Sequence, residues 1–385
     1  MNLSSMTRSM LALGWMFASS APAFDASRAK ITEIPTPSAQ CLPQGLDQAP
    51  DGSVFYTETA AGKIARLHGS QTREYLLPKG ALPNIVKVAE DGVWFSDAGN
   101  HAIGLLNPDS GSVVEYPVPS GAAPNFLQIG SDRAKWFTEP SGVGRLSASG
   151  VITEWQISLE KTDSHVEQLS IDPGGNVWFT ELNYDGVGAA GTNFVRRLDP
   201  ATNTVRAYPV PTFGGTPAGV LAAATGHIWV SEYFAGKLAL LDPQAASYTS
   251  VIITPTNSLA TRGNSGRTAP SLTTIVKAGS VVSPTVHFVA PIKSAGWLEY
   301  AIPTPGANAE DMRLAKDGRL LFFEEDGGFL GTLEPEKGEF VEYPIPSLNS
   351  GYYNIALGDQ ALWFSEAGAF APVTTKVGSL ALGAH

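Results

Sequence analysis

The segment Trp136-Phe137-Thr138-Glu139 decides the fold, because close copies of it recur along the chain. Each copy is a run of aromatic or β-branched residues ending in an acidic residue, a composition typical of a strand buried on both faces. Successive acids are 39, 42, 42, 51, 92 and 42 residues apart. This period predicts an all-β protein, a β-propeller of four-stranded blades. The other copies are Phe55-Tyr56-Thr57-Glu58, Trp94-Phe95-Ser96-Asp97, Trp178-Phe179-Thr180-Glu181, Trp229-Val230-Ser231-Glu232, Leu321-Phe322-Phe323-Glu324 and Trp363-Phe364-Ser365-Glu366.

The residues around each copy complete the blade. An apolar run and a turn such as Asp91-Gly92 precede it, and a hairpin with a further strand follows it. A Glu-Tyr-Pro-like strand, as in Glu115-Tyr116-Pro117, stands between units. Because proline cannot donate a hydrogen bond to a neighbouring strand, we expect this strand to be the outer edge of the blade.

The two ends of the chain supply incomplete blades. Residues 31–35 read as an outer strand without its own blade, and residues 377–380 read as a strand that lacks an outer neighbour. Their pairing would close the ring and remove its free edges. The double spacing before Glu324 holds strand-like runs around 245–298. This segment is either an insertion in a seven-bladed ring, which we favour, or a degenerate eighth blade. We expect its loop 257–268 to be mobile or to cover one mouth of the channel.

The N-terminus predicts export. Residues 1–23 contain an arginine, a short apolar run and a small-residue ending at Ala23, which is the pattern of a signal peptide. We therefore expect a single propeller domain over 24–385, secreted to the periplasm or the extracellular medium, with no membrane span and acting as a monomer. The chain has one cysteine, Cys41, so no intramolecular disulfide can form. A formal charge of −11 argues against nucleic-acid binding.

The repeated phrases resemble the virginiamycin B lyase (streptogramin lyase) family. The resemblance lies in Glu-Tyr-Pro-x-Pro, Pro-Asn, Asp-Gly-x-Trp-Phe-Ser/Thr-Glu and Asn-x-x-Ile-Gly, carried best by residues 94–104, 115–139 and 339–366. It implies a seven-bladed propeller that opens a cyclic depsipeptide lactone by elimination, with a histidine base after a proline and acids that hold Mg²⁺. The matching positions here contain no histidine. They read Pro43-Gln44, Pro83-Asn84, Pro124-Asn125, Val166-Glu167, Pro217-Ala218, Ala309-Glu310 and Tyr353-Asn354.

These positions should form a ring around one mouth of the channel. Two carboxylates brought together there, Glu167 and Glu310, must be neutralised by a proton or a cation. With the amides of Asn84, Asn125 and Asn354 they form a hard-oxygen set suited to Ca²⁺ or Mg²⁺. Gluconolactonase and paraoxonase-like propellers are similar in using Glu and Asn in this way. The alternative is that the amides, with Gln44, cap strand ends and bind channel water.

Chemistry at this ring would need a base. His165 stands two residues before Glu167 and is our candidate, and an exposed loop histidine is the alternative. Glu167, Glu310 and His165 are thus the predicted catalytic residues of a lyase or lactonase that acts on a cyclic ester, with no organic cofactor. The alternative function is a non-catalytic propeller that binds a small ligand or a protein. The strand-end acids recur in every blade, so we expect them to be structural, forming bonds that join neighbouring blades.

Overall fold

The computed structural model describes residues 29–381 except 160–163, 184–192, 261, 264, 268–269, 276, 326, 348–351, 359 and 367–374. The predicted signal peptide, residues 1–23, lies outside the described residues. The described chain is built of β-strands, with one 3₁₀ turn at Thr59–Ala61. No helix in this part of the chain is long and apolar enough to cross a membrane.

The strands follow the repeat of the sequence. Up to the middle of the chain they are β1 (Lys30–Pro35), β2 (Leu46–Gln48), β3 (Val54–Glu58), β4 (Lys63–His68), β5 (Gln71–Leu76), β6 (Pro83–Ala89), β7 (Gly92–Asp97), β8 (Ala102–Asn107), β9 (Ser112–Pro117), β10 (Leu127–Ile129), β11 (Lys135–Glu139), β12 (Gly142–Leu146), β13 (Val151–Gln156), β14 (Ser164–Ile171), β15 (Val177–Asn183), β16 (Phe194–Asp199) and β17 (Thr204–Pro209). They continue as β18 (Pro217–Ala222), β19 (Ile228–Glu232), β20 (Lys237–Leu241), β21 (Thr249–Ile252), β22 (Thr256–Leu259), β23 (Ser265–Arg267), β24 (Ser271–Thr274), β25 (Ala278–Val281), β26 (Thr285–Phe288), β27 (Ile292–Ser294), β28 (Trp297–Ala301), β29 (Ala309–Leu314), β30 (Leu320–Glu324), β31 (Phe329–Glu334), β32 (Glu339–Pro344), β33 (Tyr352–Leu357), β34 (Ala361–Glu366) and β35 (Lys376–Ala381).

The strands form a seven-bladed β-propeller. Seven sheets each begin with an inner strand and continue outward through the Trp-Phe strand to the Glu-Tyr-Pro strand. From the inside, blades 1 to 4 are β2-β3-β4-β5, β6-β7-β8-β9, β10-β11-β12-β13 and β14-β15-β16-β17, and blades 5 to 7 are β18-β19-β20-β28, β29-β30-β31-β32 and β33-β34-β35-β1. In blade 7, β1 pairs antiparallel with β35, with Ile31 opposite Leu380.

The aromatic residues of the repeat fill the space between sheets. Phe95 and Phe137 are 0% exposed, and each pairs with a glycine on the next strand of its blade. A Cβ on Gly104 would lie 2.0 Å from the Phe95 ring, so only glycine leaves room for the ring to lie flat on its neighbour. This contact explains why the hairpin after the Trp-Phe strand carries an Ile-Gly-like sequence.

Hydroxyl groups join six of the seven blades to the next, since blade 6 has Phe323 at the equivalent position. The Thr or Ser before the strand-end acid donates a hydrogen bond to a backbone carbonyl at the mouth end of the next inner strand. The expectation that the acids themselves make these links is wrong, because the acid side chains lie beside the outer strand of their own blade. The links are Thr57 to Asn84 at 3.1 Å, Ser96 to Asn125 at 2.5 Å, Thr138 to Glu167 at 2.9 Å, Thr180 to Ala218 at 2.8 Å, Ser231 to Glu310 at 3.2 Å and Ser365 to Gln44 at 3.3 Å.

The inserted segment is a belt around the ring, not an eighth blade. Its seven short strands, β21 to β27, each pair antiparallel with the outermost strand of a different blade. The chain leaves blade 5 after β20, visits blades 4, 3, 2, 1, 7 and 6 in that order, and returns to blade 5. The belt, defined as residues 249–294, therefore makes one full turn.

The two ends of the belt meet where the insertion starts. The Asp242 N–H donates to the Gly296 carbonyl at 2.8 Å, and a Cβ on Gly296 would lie 2.4 Å from the Ala246 nitrogen. The belt thus replaces the turn of the β20-β28 hairpin and leaves the blade itself intact.

The belt corrects two expectations. The Glu-Tyr-Pro strand is the outer strand of its blade as predicted, but it is not the edge of its sheet, because the belt adds a fifth strand beside it. In blade 2, for example, the belt pairs with Ser112 to Val114, and Pro117 stands at the end of β9, beyond these ladder partners. The loop 257–268 does not cover a mouth, since β22 and β23 lie on the circumference of blades 3 and 2.

Candidate functional site

The mouth residues are held on the rims of neighbouring inner strands. The hydroxyl links described above hold their backbone carbonyls, so each side chain starts from a fixed point. The acids collect on one side of the ring, in blades 4 and 6, and the amides occupy blades 2 and 3. Blade 5, between the blades of the two acids, has Ala218 at the equivalent position.

A chain of hydrogen bonds connects the amides to the predicted base. The Asn84 Nδ2 donates to Asn125 Oδ1 at 3.1 Å, and the Asn125 Nδ2 donates to Glu167 Oε1 at 3.2 Å. The His165 Nε2 lies 3.0 Å from Glu167 Oε2. The side chains of His165 and Glu167 are 32% and 18% exposed, so both are accessible from the mouth. A carboxylate that contacts a histidine ring in this way sets the orientation of the ring.

Glu310 lies close enough to Glu167 for the charge of Glu167 to affect its pKa. Burial by the channel walls, and next the negative charges of Glu167, Glu325 and Asp311, raise the pKa of Glu310 well above its ordinary range. The surroundings of Glu310 therefore favour its protonated form, while Glu167 accepts a hydrogen bond from Asn125. A divalent cation could take the place of that proton.

Two further residues at the mouth were not predicted. Tyr233 of blade 5 donates a short hydrogen bond to Glu325 of blade 6, and both stand immediately after the strand-end acid of their blade. The doubled acid Glu324-Glu325 occurs in no other copy of the repeat and was a signal that could have been used.

Asn354 and Gln44 are directed elsewhere. The Asn354 side chain is 1% exposed, donates to Asp311 Oδ2 at 2.7 Å and accepts from the Leu46 N–H at 3.3 Å. The Gln44 Oε1 accepts from Thr59 at 3.2 Å. Asn354 thus joins blades 6, 7 and 1, and we leave it out of the cation ligands proposed below.

The donor chemistry at the mouth fits a hard cation. Two carboxylates and an amide, Glu167, Glu310 and Asn125, offer only oxygen ligands, and the like charges of the acids would be relieved by Ca²⁺ or Mg²⁺. Within the described residues, no group of three or more His, Cys, Asp or Glu side chains converges on one point as a formed metal site. Binding would therefore require these side chains to move toward each other.

Exposed apolar residues lie at the mouth end of blades 1, 2 and 5. They lie in the segments that lead onto the inner strands or in the hairpin after β19, all on the mouth side of the ring. These exposed residues are Leu42 (38%), Leu82 (45%), Phe213 (74%) and Phe234 (50%). The site is thus a polar centre within an apolar rim, which suits a ligand with apolar groups around an oxygen-rich core.

Comparison with known proteins places the chain in a family. The family model for the Virginiamycin B lyase family matches residues 29–256, more than half of the chain. The chain belongs to this family. A virginiamycin B lyase of Nocardia farcinica is 32% identical over 201 residues, which are 52% of this chain and 66% of that protein. The match therefore spans just under two thirds of the relative.

Solved structures of lyases share the fold. A streptogramin B lyase structure has a TM-score of 0.69 at 22% identity, with 92% of this chain and 97% of that chain covered. The Staphylococcus aureus virginiamycin B lyase gives a TM-score of 0.68 at 21% identity, with 92% and 99% covered. A catalytically inactive histidine-to-alanine variant of that enzyme, with quinupristin, gives 0.68 at 22% identity over the same shares. The chain is thus a virginiamycin B lyase-like propeller.

Proposed function

We propose that this protein is an exported lyase that opens a cyclic ester of an apolar small molecule at the mouth of its channel. The observation that carries the proposal is the placement of His165 against Glu167, with Glu310 nearby on the same side of the ring. A catalytic site is asymmetric, whereas a scaffold would spread its polar residues evenly. Membership of the family supports lyase chemistry, and the apolar rim supports the substrate class.

The reaction would be an elimination. His165 removes a proton from the carbon next to the one that bears the ester oxygen. Both electrons of the broken C–H bond then form a double bond between these two carbons. The bond between carbon and the ester oxygen breaks, and the ester leaves as a carboxylate, so the ring opens without adding water. Glu167 holds the imidazole in position and stabilises it when it becomes protonated.

The two carboxyl groups would have different roles. Glu310, kept protonated by its surroundings, can donate its proton toward the carboxylate that develops as the ring opens. When Ca²⁺ or Mg²⁺ is bound, Glu167, Glu310 and the Asn125 amide would hold it, and the cation would supply positive charge to the ester oxygens. Tyr233 holds Glu325 in place beside Glu310.

The position of the base differs from the family pattern. The family implies a histidine after a proline at a strand start, and none of the seven matching positions of this chain has a histidine. His165 lies on blade 4 instead, so a substrate would bind in a different orientation. We therefore expect a cyclic ester other than a streptogramin to be the preferred substrate.

A non-catalytic binding role has one supporting observation. Of the fourteen large apolar residues that are exposed in the described part of the chain, nine lie between 248 and 292, on or next to the belt. An apolar circumference of this kind is typical of a surface that contacts another molecule.

The test is turnover of a panel of cyclic depsipeptide lactones, followed by mass spectrometry. Elimination gives an opened product with the mass of the substrate, whereas hydrolysis adds one water. We expect His165→Ala to lower kcat/KM by about 100-fold or more. The control His227→Ala, which changes the residue directly before β19, should leave kcat/KM unchanged. Turnover of no cyclic ester, or full activity of His165→Ala, would contradict the proposal.

A further inference from the structure

A second ring of side chains lies deeper in the channel. It comes three residues after the mouth ring on each inner strand, or about 10 Å further along an extended chain. In blade order its members are Asp47, Lys87, Gln128, Ser170, Leu221, Arg313 and Leu357. The proposed reaction uses none of them.

Lys87 lies among charged groups that come from other blades of the ring. Its ammonium is affected by the charge of Asp47 in the adjacent blade and by Asp311 and Arg313 in blade 6, on the far side of the ring. No hydrogen bond or ion pair involves this ammonium among the described residues. Burial lowers the pKa of Lys87, while the charges of Asp47 and Asp311 act in the opposite direction.

The carboxylates near Lys87 are already engaged. The Asp47 Oδ2 accepts the Val88 N–H at 2.8 Å. Asp311 pairs with Arg313 at 2.5 Å and accepts hydrogen bonds from Asn354 at 2.7 Å and from the Ile355 N–H at 3.0 Å. The internal charges therefore hold the inner strands together and leave Lys87 without a direct partner.

Gln128 has a buried hydrogen-bond acceptor without a donor in the described part of the chain. Its Oε1 atom is buried and accepts no hydrogen bond from any described residue. Gln128 follows Lys87 in the ring, so a donor without an acceptor and an acceptor without a donor stand on neighbouring inner strands. Buried polar atoms of this kind are normally satisfied, by protein, water or ligand.

We propose that the lower channel binds a small hydroxycarboxylate. The carboxylate of the ligand would contact the Lys87 ammonium and lie within the field of Arg313, and its hydroxyl hydrogen would donate to Gln128 Oε1. One molecule would then supply an acceptor to the Lys87 ammonium and a donor to Gln128 Oε1. The proposal does not depend on the lyase reaction, because Lys87 and Gln128 lie below the mouth.

The test is isothermal titration of lactate and of propionate into the full-length protein at pH 6. The two ligands share their carbon skeleton and their charge, and differ by one hydroxyl group. We expect saturable one-site binding of lactate and about tenfold weaker binding of propionate, the difference that one hydrogen bond of about 1.4 kcal/mol produces.

Variants separate the two contacts. Lys87→Met should weaken both ligands at least tenfold, and Gln128→Leu should remove the preference for lactate over propionate. The control Lys79→Met changes an exposed lysine and should leave both affinities unchanged. If Lys87→Met does not fold, two measurements still test the proposal. They are the ratio of lactate affinity to propionate affinity in the wild type and the same ratio in Gln128→Leu.

Two outcomes would overturn the proposal: equal affinity for lactate and propionate, or lactate binding that Lys87→Met leaves intact. Because the measurement needs no turnover, it can succeed in a protein that opens no lactone. Equally, a confirmed lyase could fail it. The two proposals are therefore tested separately.

Discussion

Replacing Glu324 by glutamine should stabilise the protein, and more so at higher pH. Glu324 ends β30, is 0% exposed and neighbours Glu342. Burial, and next the charge of Glu342, raises the pKa of Glu324 to about 9. At pH 7 the folded protein thus holds a neutral carboxyl, whereas the unfolded chain carries a carboxylate with a pKa of about 4.3. The stability that depends on this proton is fully present below about pH 4.3 and is lost as pH rises toward 9.

The magnitude follows from the pH interval. Each pH unit above the unfolded pKa lowers stability by about 1.4 kcal/mol, so keeping Glu324 neutral costs about 3–4 kcal/mol at pH 7. Glutamine has a similar shape, is neutral in both states and can donate an N–H to Glu342. We expect Glu324→Gln to raise the free energy of unfolding by about that amount at pH 7 and by very little at pH 4.

The assay is urea unfolding, followed by tryptophan fluorescence, at several values between pH 4 and pH 9. Glu336→Gln, which changes an exposed glutamate nearby, should show no such trend. A gain that is equal at pH 5 and pH 8, or a loss at every pH, would refute the reasoning.

Other predictions concern packing and the belt. Trp136→Ala should lower the free energy of unfolding by about 3–5 kcal/mol, because the ring is buried against Trp155 with centroids 5.4 Å apart, and a negligible loss in urea unfolding would contradict this packing. Deleting residues 247–295, so that Ala246 joins Gly296, should give a folded seven-bladed propeller. Its thermal midpoint should fall by at least about 2–4 °C, the shift that 1 kcal/mol produces in a domain of about 200 residues. An unchanged midpoint in calorimetry would show that the belt does not stabilise the ring.

The blades could be predicted because their signals are local. A strand buried on both faces needs aromatic and β-branched residues, and the Trp-Phe strands repeat them at spacings of 39 to 51 residues, except across the belt. Seven copies, with Ile31 and Leu380 in incomplete blades at the two ends, were sufficient to infer the ring.

The belt could not be predicted in this way. Its strands have three or four residues and largely exposed side chains, so they show no alternation of apolar and polar residues. Their pairing depends on edges that exist only once the blades have formed. A weak signal was present, because prolines stand directly before four of the strands, at Pro255, Pro270, Pro284 and Pro291, with most strands starting seven residues apart.

The mouth site could be predicted in part. The position after each inner-strand start identified Glu167 and Glu310, since the repeat places equivalent residues on one rim. Tyr233 and Glu325 at the mouth, and Lys87 deeper in the channel, were missed. Their interactions depend on which side chains of other blades lie close to them, and the sequence does not show this. Asn354 was assigned to the mouth by its position, but its contacts with Asp311 and Leu46 hold it between blades.

Calorimetric titration of Mg²⁺ and Ca²⁺ into chelator-treated protein at pH 7 tests the proposed site most directly. We predict saturable one-site binding to the wild type, with release of about one proton for each cation, because Glu310 must lose its proton to become a ligand. Glu310→Gln should weaken the binding strongly and abolish the proton release, while Glu336→Gln should behave as the wild type. Absence of binding, or equal binding by Glu310→Gln, would contradict a cation site at the mouth.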